Sequence, residues 1–200
     1  VLSGIRQKIT DTDEKIEALL CRPTNTAEKL KKIVNEVVID LIPNATGIFV
    51  DRSTGKDRVV LSIYGELHDI QYLSHGQRSV LFMVADLISR LAILNPHLED
   101  PRTSPGVVII DEIELHLHPT WQQTIIDSLL KIFPKMQFVI TTHSPQVIST
   151  VHKNQIRFLK NDFETQEVKV HSPLFQTRGL SADNILLRVL NIAETPNVME

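Results

Sequence analysis

Three short stretches of this 200-residue chain carry side chains suited to chemistry on a polar ligand. The first is Val107-Val108-Ile109-Ile110-Asp111-Glu112, four β-branched apolar residues that deliver two adjacent carboxylates. Such a run predicts a strand buried on both faces. In open parallel sheets, ligands bind outside the carboxyl ends of the strands. Two acids there are costly to hold without a cation. A Mg²⁺ on Asp111 would relieve that cost and leave Glu112 to orient and deprotonate a water. Taken alone, the pair fits equally well as a cap on the loop or helix that follows.

The second stretch ends in His143, within Phe138-Val139-Ile140-Thr141-Thr142-His143-Ser144-Pro145. The chain from 107 to 141 reads strand, helix, strand, a βαβ unit with a right-handed crossover. Its two parallel strands end on one edge of the sheet, so His143 is expected on the same rim as Asp111 and Glu112. A histidine there can donate to a phosphate oxygen or hold a water in line. A capping or core histidine is the plainer reading. The third stretch, Leu73-Ser74-His75-Gly76-Gln77, precedes a long apolar-periodic segment. Ser74 and Gln77 have the spacing of a capping box. The same helix start, with roughly half a positive charge and free N–H groups, also suits an anion, and Gly76 allows close backbone approach.

The elements that must position these residues follow from periodicity. Residues 5–21 and 26–42 predict two helices, the second with Leu30, Ile33, Val34, Val37, Val38 and Leu41 on one face and Thr26 as its cap. A β-hairpin is expected over 47–51 and 59–64. The long helix spans 77–95, with Val80, Val84, Leu87, Ile88 and Leu91 on one face. Another helix starts at Pro119, with Trp121, Ile125, Leu129 and Phe133 inward. A buried strand (138–141), a short helix after Ser144, a hairpin (156–159 and 167–170) and a last helix capped by Ser181 complete the chain. Trp121, Tyr72 and the methionines read as packing residues.

Composition is that of an ordinary folded domain, 42% apolar and 22% charged with net charge −3. No lysine or arginine run suggests a nucleic-acid arm. One cysteine, Cys21, excludes an internal disulfide framework and fits a reducing compartment. No apolar run approaches the roughly 20 residues of a membrane span, and no signal peptide is evident, so a cytoplasmic location without membrane attachment is expected.

In this order and spacing the three stretches resemble the ABC-type ATPase superfamily over about residues 70–150. Leu73-Ser74-His75-Gly76-Gln77 is similar to its signature motif, Val107–Glu112 to the Walker B strand, and His143 to the switch histidine. Asp111-Glu112-Ile113-Glu114-Leu115-His116-Leu117-His118-Pro119 is similar to the D-loop region of the RecF/Rad50/overcoming-lysogenization branch. Arg178-Gly179-Leu180-Ser181-Ala182-Asp183-Asn184-Ile185-Leu186 resembles stand-alone bacterial ATPases of that branch, among them those of Septu-type and retron-linked anti-phage systems. The resemblance implies an α/β, P-loop NTPase-like fold, the C-terminal half of an ABC ATPase head, with a largely parallel sheet flanked by helices and β-hairpins. Residues 1–69 would supply a helical segment and hairpin, and 70–200 the core lobe, of one domain in a larger ATPase.

Carried onto these residues, the resemblance implies a homodimer sandwiching two ATP molecules. Asp111 would hold Mg²⁺, Glu112 would activate water, and His143 would contact the γ-phosphate. Ser74, Gly76 and Gln77 would bind the ATP of the partner subunit. A nuclease or other effector subunit is compatible, and DNA is possible though not indicated by charge. Two departures stand out. His75 replaces the first signature glycine, and no G-x-x-x-x-G-K-[ST] is present; Thr54-Gly55-Lys56-Asp57 reads as a turn. With Val1 in place of Met, the chain reads as split from its P-loop and is expected to bind nucleotide poorly by itself. Two other classes compete: a metal-dependent hydrolase or nuclease using Asp111, Glu112, Glu114, His116, His118 and His143, and a non-catalytic dimerisation module.

Overall fold

The computed structural model describes residues 25–188, apart from 54, 56 and 163–165. The helix expected over 5–21 and Cys21 lie outside the described residues. The fold divides into two compact units. One comprises the described residues up to Val107 together with Ile132–Gln137. The other comprises Val108–Lys131 and the described residues from Phe138 onward.

In the first unit, helix α1 (Asn25–Leu41) packs on the antiparallel strands β1 (Ala45–Asp51), β2 (Arg58–Ile63) and β3 (Glu66–Asp69). The start of this helix and the side chain of Thr26, its expected cap, lie outside what the structure describes. Ile33, Val34, Val37, Val38 and Leu41 are buried, as the 3.6-residue repeat requires. Each contributes roughly 1.5–3 kcal/mol through burial. The third strand was not expected. It returns through Tyr64-Gly65, whose φ values of 52° and 83° give the two left-handed residues of a tight hairpin turn. Asn35 ties helix to sheet, its Oδ1 accepting the Ile48 N–H at 2.8 Å.

Helix α2 (His75–Leu94) packs against α1 and buries Val80, Leu81, Val84, Ala85, Ile88 and Leu91. Leu87 is only half-buried. Tyr72, read as packing, is 86% exposed.

Strands β4 (Gly106–Ile110) and β5 (Met136–Ile140) are neighbours in a two-stranded sheet. They run parallel. Gly106 lies against Met136 at their start, and the Thr141 N–H donates to Ile110 O at 3.0 Å at their end. Burial on both faces was expected of β4; instead Val107 and Ile109 are 61% and 76% exposed, and Val139 of β5 is exposed beside them. Among the described residues the sheet has two strands and is covered on one face.

In the second unit the helix expected from Pro119 is broken into α3 (Pro119–Gln122) and α4 (Ile125–Ile132). At the break, Thr124 Oγ1 and its N–H both bond to Trp121 O, tightening the turn to i−3. Ile125 and Leu129 are buried, but Trp121 only partly, while Phe133, also buried, falls in the first unit. Helix α5 (Pro145–Ile148), the hairpin β6 (Phe158–Asp162) with β7 (Glu167–His171), and α6 (Ala182–Arg188) complete the unit. Ser181 Oγ accepts the Asn184 N–H at 3.4 Å, the expected cap. Among the described residues no helix is long and apolar enough to cross a membrane.

Candidate functional site

The carboxyl edge of the parallel pair brings Asp111, Glu112 and His143 into one connected structure, as their spacing predicts. The connection is a residue to which sequence reasoning assigned no role, Thr141. Its hydroxyl accepts the backbone N–H of Glu112 at 2.8 Å and donates to Asp111 Oδ1. Its backbone pairs with both ends of the acidic loop, donating to Ile110 O and accepting from Ile113 N–H at 3.3 Å. A Thr-Thr pair after a strand is an ordinary β-rich sequence, and only the pairing of the two strand ends reveals its use.

Glu112 itself is held at φ 47°. For a residue with a Cβ the left-handed region costs free energy and persists only where neighbours enforce it. Here the enforcing contacts are the Thr141 hydroxyl on its N–H and the Leu115 N–H, which donates to Glu112 O at 2.9 Å. The left-handed residue ends the strand at the acidic pair, and the Asp111 and Glu112 side chains are both exposed.

The loop then runs to α3 through a second left-handed residue, His116 at φ 64°. Glu114 turns back, its Oε1 accepting the His143 backbone N–H at 2.6 Å. Gln122 bridges the same two segments, donating from Nε2 to Leu117 O at 2.8 Å and accepting from Ser144 Oγ at 2.6 Å. Ser144, buried, caps α5 by accepting the Gln146 and Val147 N–H groups. His143 sits exposed between these anchored peptides.

The rival cluster of six metal-ligating residues does not form. Among the described residues no three His, Cys, Asp or Glu side chains converge as a metal would require. His118 has a structural task, its Nδ1 accepting the Thr120 N–H at 3.3 Å as the cap of α3.

The third stretch lies in the other unit. Ser74 Oγ accepts the Gln77 N–H at 3.2 Å, and Gln77 Oε1 accepts the Ser74 N–H at 3.1 Å, the reciprocal capping box expected. Ser74 and His75 are exposed, while Gly76 is buried in the first turn. Ser74 thus stands at a well-formed helix N-terminus, the polarity that favours an anion.

Residues 28–149 match the family described as "AAA domain, putative AbiEii toxin, Type IV TA system". The chain belongs to that family. It is 36% identical over 168 residues to "Retron Vc95 probable ATPase" of Vibrio cholerae serotype O1 biovar El Tor, covering 84% of this chain and 32% of that protein. It is 30% identical over 147 residues to "Septu protein PtuA" of Bacillus thuringiensis, covering 72% and 37% respectively. The chain therefore spans about a third of the length of the curated relatives it matches. Its fold is similar to that of a solved structure described as "Structural biochemistry of ATP-driven dimerization and DNA stimulated activation of SMC ATPases." The TM-score is 0.52 at 15% identity, over 84% of this chain and 94% of the other. The α/β ATPase-head fold expected from the three stretches is that of the chain, and retron and Septu proteins, the relatives expected of its branch, are among those it matches.

Proposed function

We propose that this chain is the signature- and Walker B-bearing part of an ABC-type ATPase head that binds and hydrolyses ATP as a nucleotide-driven dimer in defence against phage. The observation that carries the reading is the edge built on Thr141. One hydroxyl holds both the Asp111 carboxylate and the backbone of a left-handed Glu112. In a member of an ATPase family, this edge is where the nucleotide's terminal phosphate would meet a metal and a water. The donor set suits Mg²⁺, a hard cation that takes one or two carboxylates alongside phosphate oxygens and waters. Asp111 would hold it; when bound, the ion would neutralise charge on the phosphates.

Glu112, the left-handed residue that ends the strand, would accept the proton of the attacking water. His143 would donate to the γ-phosphate, and Ser74, Gly76 and Gln77 would bind the γ-phosphate of the ATP held by a partner subunit. The P-loop would come from another part of the protein or another chain. The uncovered apolar face of β4 and β5 supports this, since Val107, Ile109 and Val139 want cover that the described residues do not give. The retron and Septu names of the relatives agree with the anti-phage branch that the sequence resembles, and from that resemblance come the defence role and a nuclease or other effector as the unit driven.

The test is nucleotide-dependent self-association. Mixed with the P-loop-bearing polypeptide, the protein should dimerise with ATP and Mg²⁺ and return to single heads with ADP, as measured by light scattering. Ser74→Arg should abolish the ATP-induced dimer without weakening nucleotide binding at the Walker B side. A dimer indifferent to ATP would refute the proposal and favour a non-catalytic association module.

A further inference from the structure

We propose that Glu114 is a positioning residue that sets the pose of His143; only its effect on turnover rests on the ATPase reading. Glu114 lies in the loop after β4, yet its Oε1 accepts the backbone N–H of His143, 29 residues further on, at 2.6 Å. A bond from an amide to a carboxylate belongs to the short, charge-assisted class and is about twice as strong as its neutral counterpart. The acidic loop is shaped to deliver it. Left-handed residues stand on either side, Glu112 at φ 47° and His116 at φ 64°. Two turns lock the backbone between them, from Leu115 N–H to Glu112 O and from Leu117 N–H to Glu114 O, each 2.9 Å.

His143 is thereby held at consecutive peptides. Its own N–H is fixed by Glu114, and the next N–H, of Ser144, donates to Thr142 Oγ1 at 3.1 Å. The exposed ring can then sample rotamers but not drift with its backbone. The second carboxylate oxygen explains why the residue is there. Glu114 Oε2 is buried, and among the described residues it meets no donor. Stripping a carboxylate oxygen of water with nothing in return works against stability. An acid so placed is accounted for by the geometry it imposes on His143, not by what it adds to the fold.

The experiment reads the contact first and turnover second. In ¹⁵N-labelled protein the His143 amide proton should lie downfield and exchange slowly. Glu114→Ala should move it upfield and speed its exchange at least ~10-fold, the loss of a charge-assisted bond, whereas Glu114→Gln, which keeps the acceptor, should retain most of both. In the protein assembled with its P-loop-bearing polypeptide, Glu114→Ala should lower kcat for ATP by about 10–100-fold with KM nearly unchanged, as expected for lost positioning. The double variant with His143→Ala should be no slower than His143→Ala alone, and Glu114→Gln should restore most of the rate.

An unmoved His143 amide in Glu114→Ala overturns the assignment. So does a moved amide with undiminished turnover in a protein where His143→Ala is slow. If the amide moves as expected but His143→Ala leaves hydrolysis intact, the γ-phosphate role of His143 fails and, with it, the positioning role of Glu114 in turnover; if the assembled parent protein hydrolyses no ATP, the ATPase reading fails and the contact alone stands. Should Glu114→Ala not fold, Glu114→Asp withdraws the carboxylate by one methylene and reads out the same way.

Discussion

The backbone N–H of Glu112 donates to the hydroxyl of Thr141 at 2.8 Å, across two strand ends that are 29 residues apart in the chain. The same hydroxyl bonds the Asp111 carboxylate, so one side chain fixes both acids. Thr141→Val, which preserves shape and removes the oxygen, should cost about 0.5–1.5 kcal/mol in urea unfolding, the net worth of a typical hydrogen bond, since water reaches the exposed groups left behind. ATP hydrolysis in the assembled protein should fall further, by roughly 10–100-fold, since misplacing reacting groups is expensive. Thr141→Ser should recover most of both. An unaffected rate in Thr141→Val would show that the hydroxyl holds the fold and nothing more.

The link between α1 and its sheet offers a prediction independent of chemistry. A Cβ on Gly47 would lie 2.8 Å from Asn35 Oδ1 and 2.9 Å from the Phe49 ring. Asn35 Oδ1 is the acceptor for the Ile48 N–H, so the carboxamide cannot retreat without breaking that bond. Gly47→Ala is expected to destabilise the protein by about 1–3 kcal/mol, the range for overpacking combined with a lost buried acceptor. Thermal or urea unfolding measures it, and a stability within error of the parent would contradict the packing described.

Arg102 joins the loop before β4 to α1, donating to Glu36 Oε2 at 2.9 Å and, through Nε and Nη2, to the Asp100 carboxylate at 2.7–3.0 Å. The Arg102 hydrogen bonds hold the Asp100 carboxyl below the usual carboxylate range, against a partial burial that pushes the other way. A folded pKa below the unfolded one stabilises the native state above about pH 4 and ceases to do so as pH falls toward the folded value. Arg102→Gln should therefore cost stability at pH 7, about 1 kcal/mol after allowing for solvent screening. The deficit should shrink as the pH is lowered below 4. A deficit that stays constant from pH 7 to pH 3 would mean the pair is electrostatically silent.

Much of this was legible in sequence because it depends on repeat and spacing. The α1 and α2 stripes, the Ser74 and Gln77 box and the acids after β4 all follow from local pattern, and the structure places them as expected. The misses are of another kind. Tyr64 and Gly65 make a turn that Asn-Gly would have announced, but a tyrosine with positive φ does not. The burial expected of β4 came from four β-branched residues whose cover the described residues supply on one face only. Thr141 and Glu114 act through partners 29 residues away, and no local pattern encodes which strand ends will meet. His118 looked like a possible metal ligand until its ring was found accepting the Thr120 N–H.

Glu112, the left-handed residue next to Asp111 at the strand end, is proposed to activate the water that cleaves ATP. Hydrolysis by the protein assembled with its P-loop-bearing polypeptide, with and without Glu112→Gln, tests it most directly. A loss of about 100-fold or more in kcat is expected, in the range seen when a general base is removed, with ATP still bound and the ATP-induced dimer now long-lived. Hydrolysis at the parent rate in Glu112→Gln would contradict it.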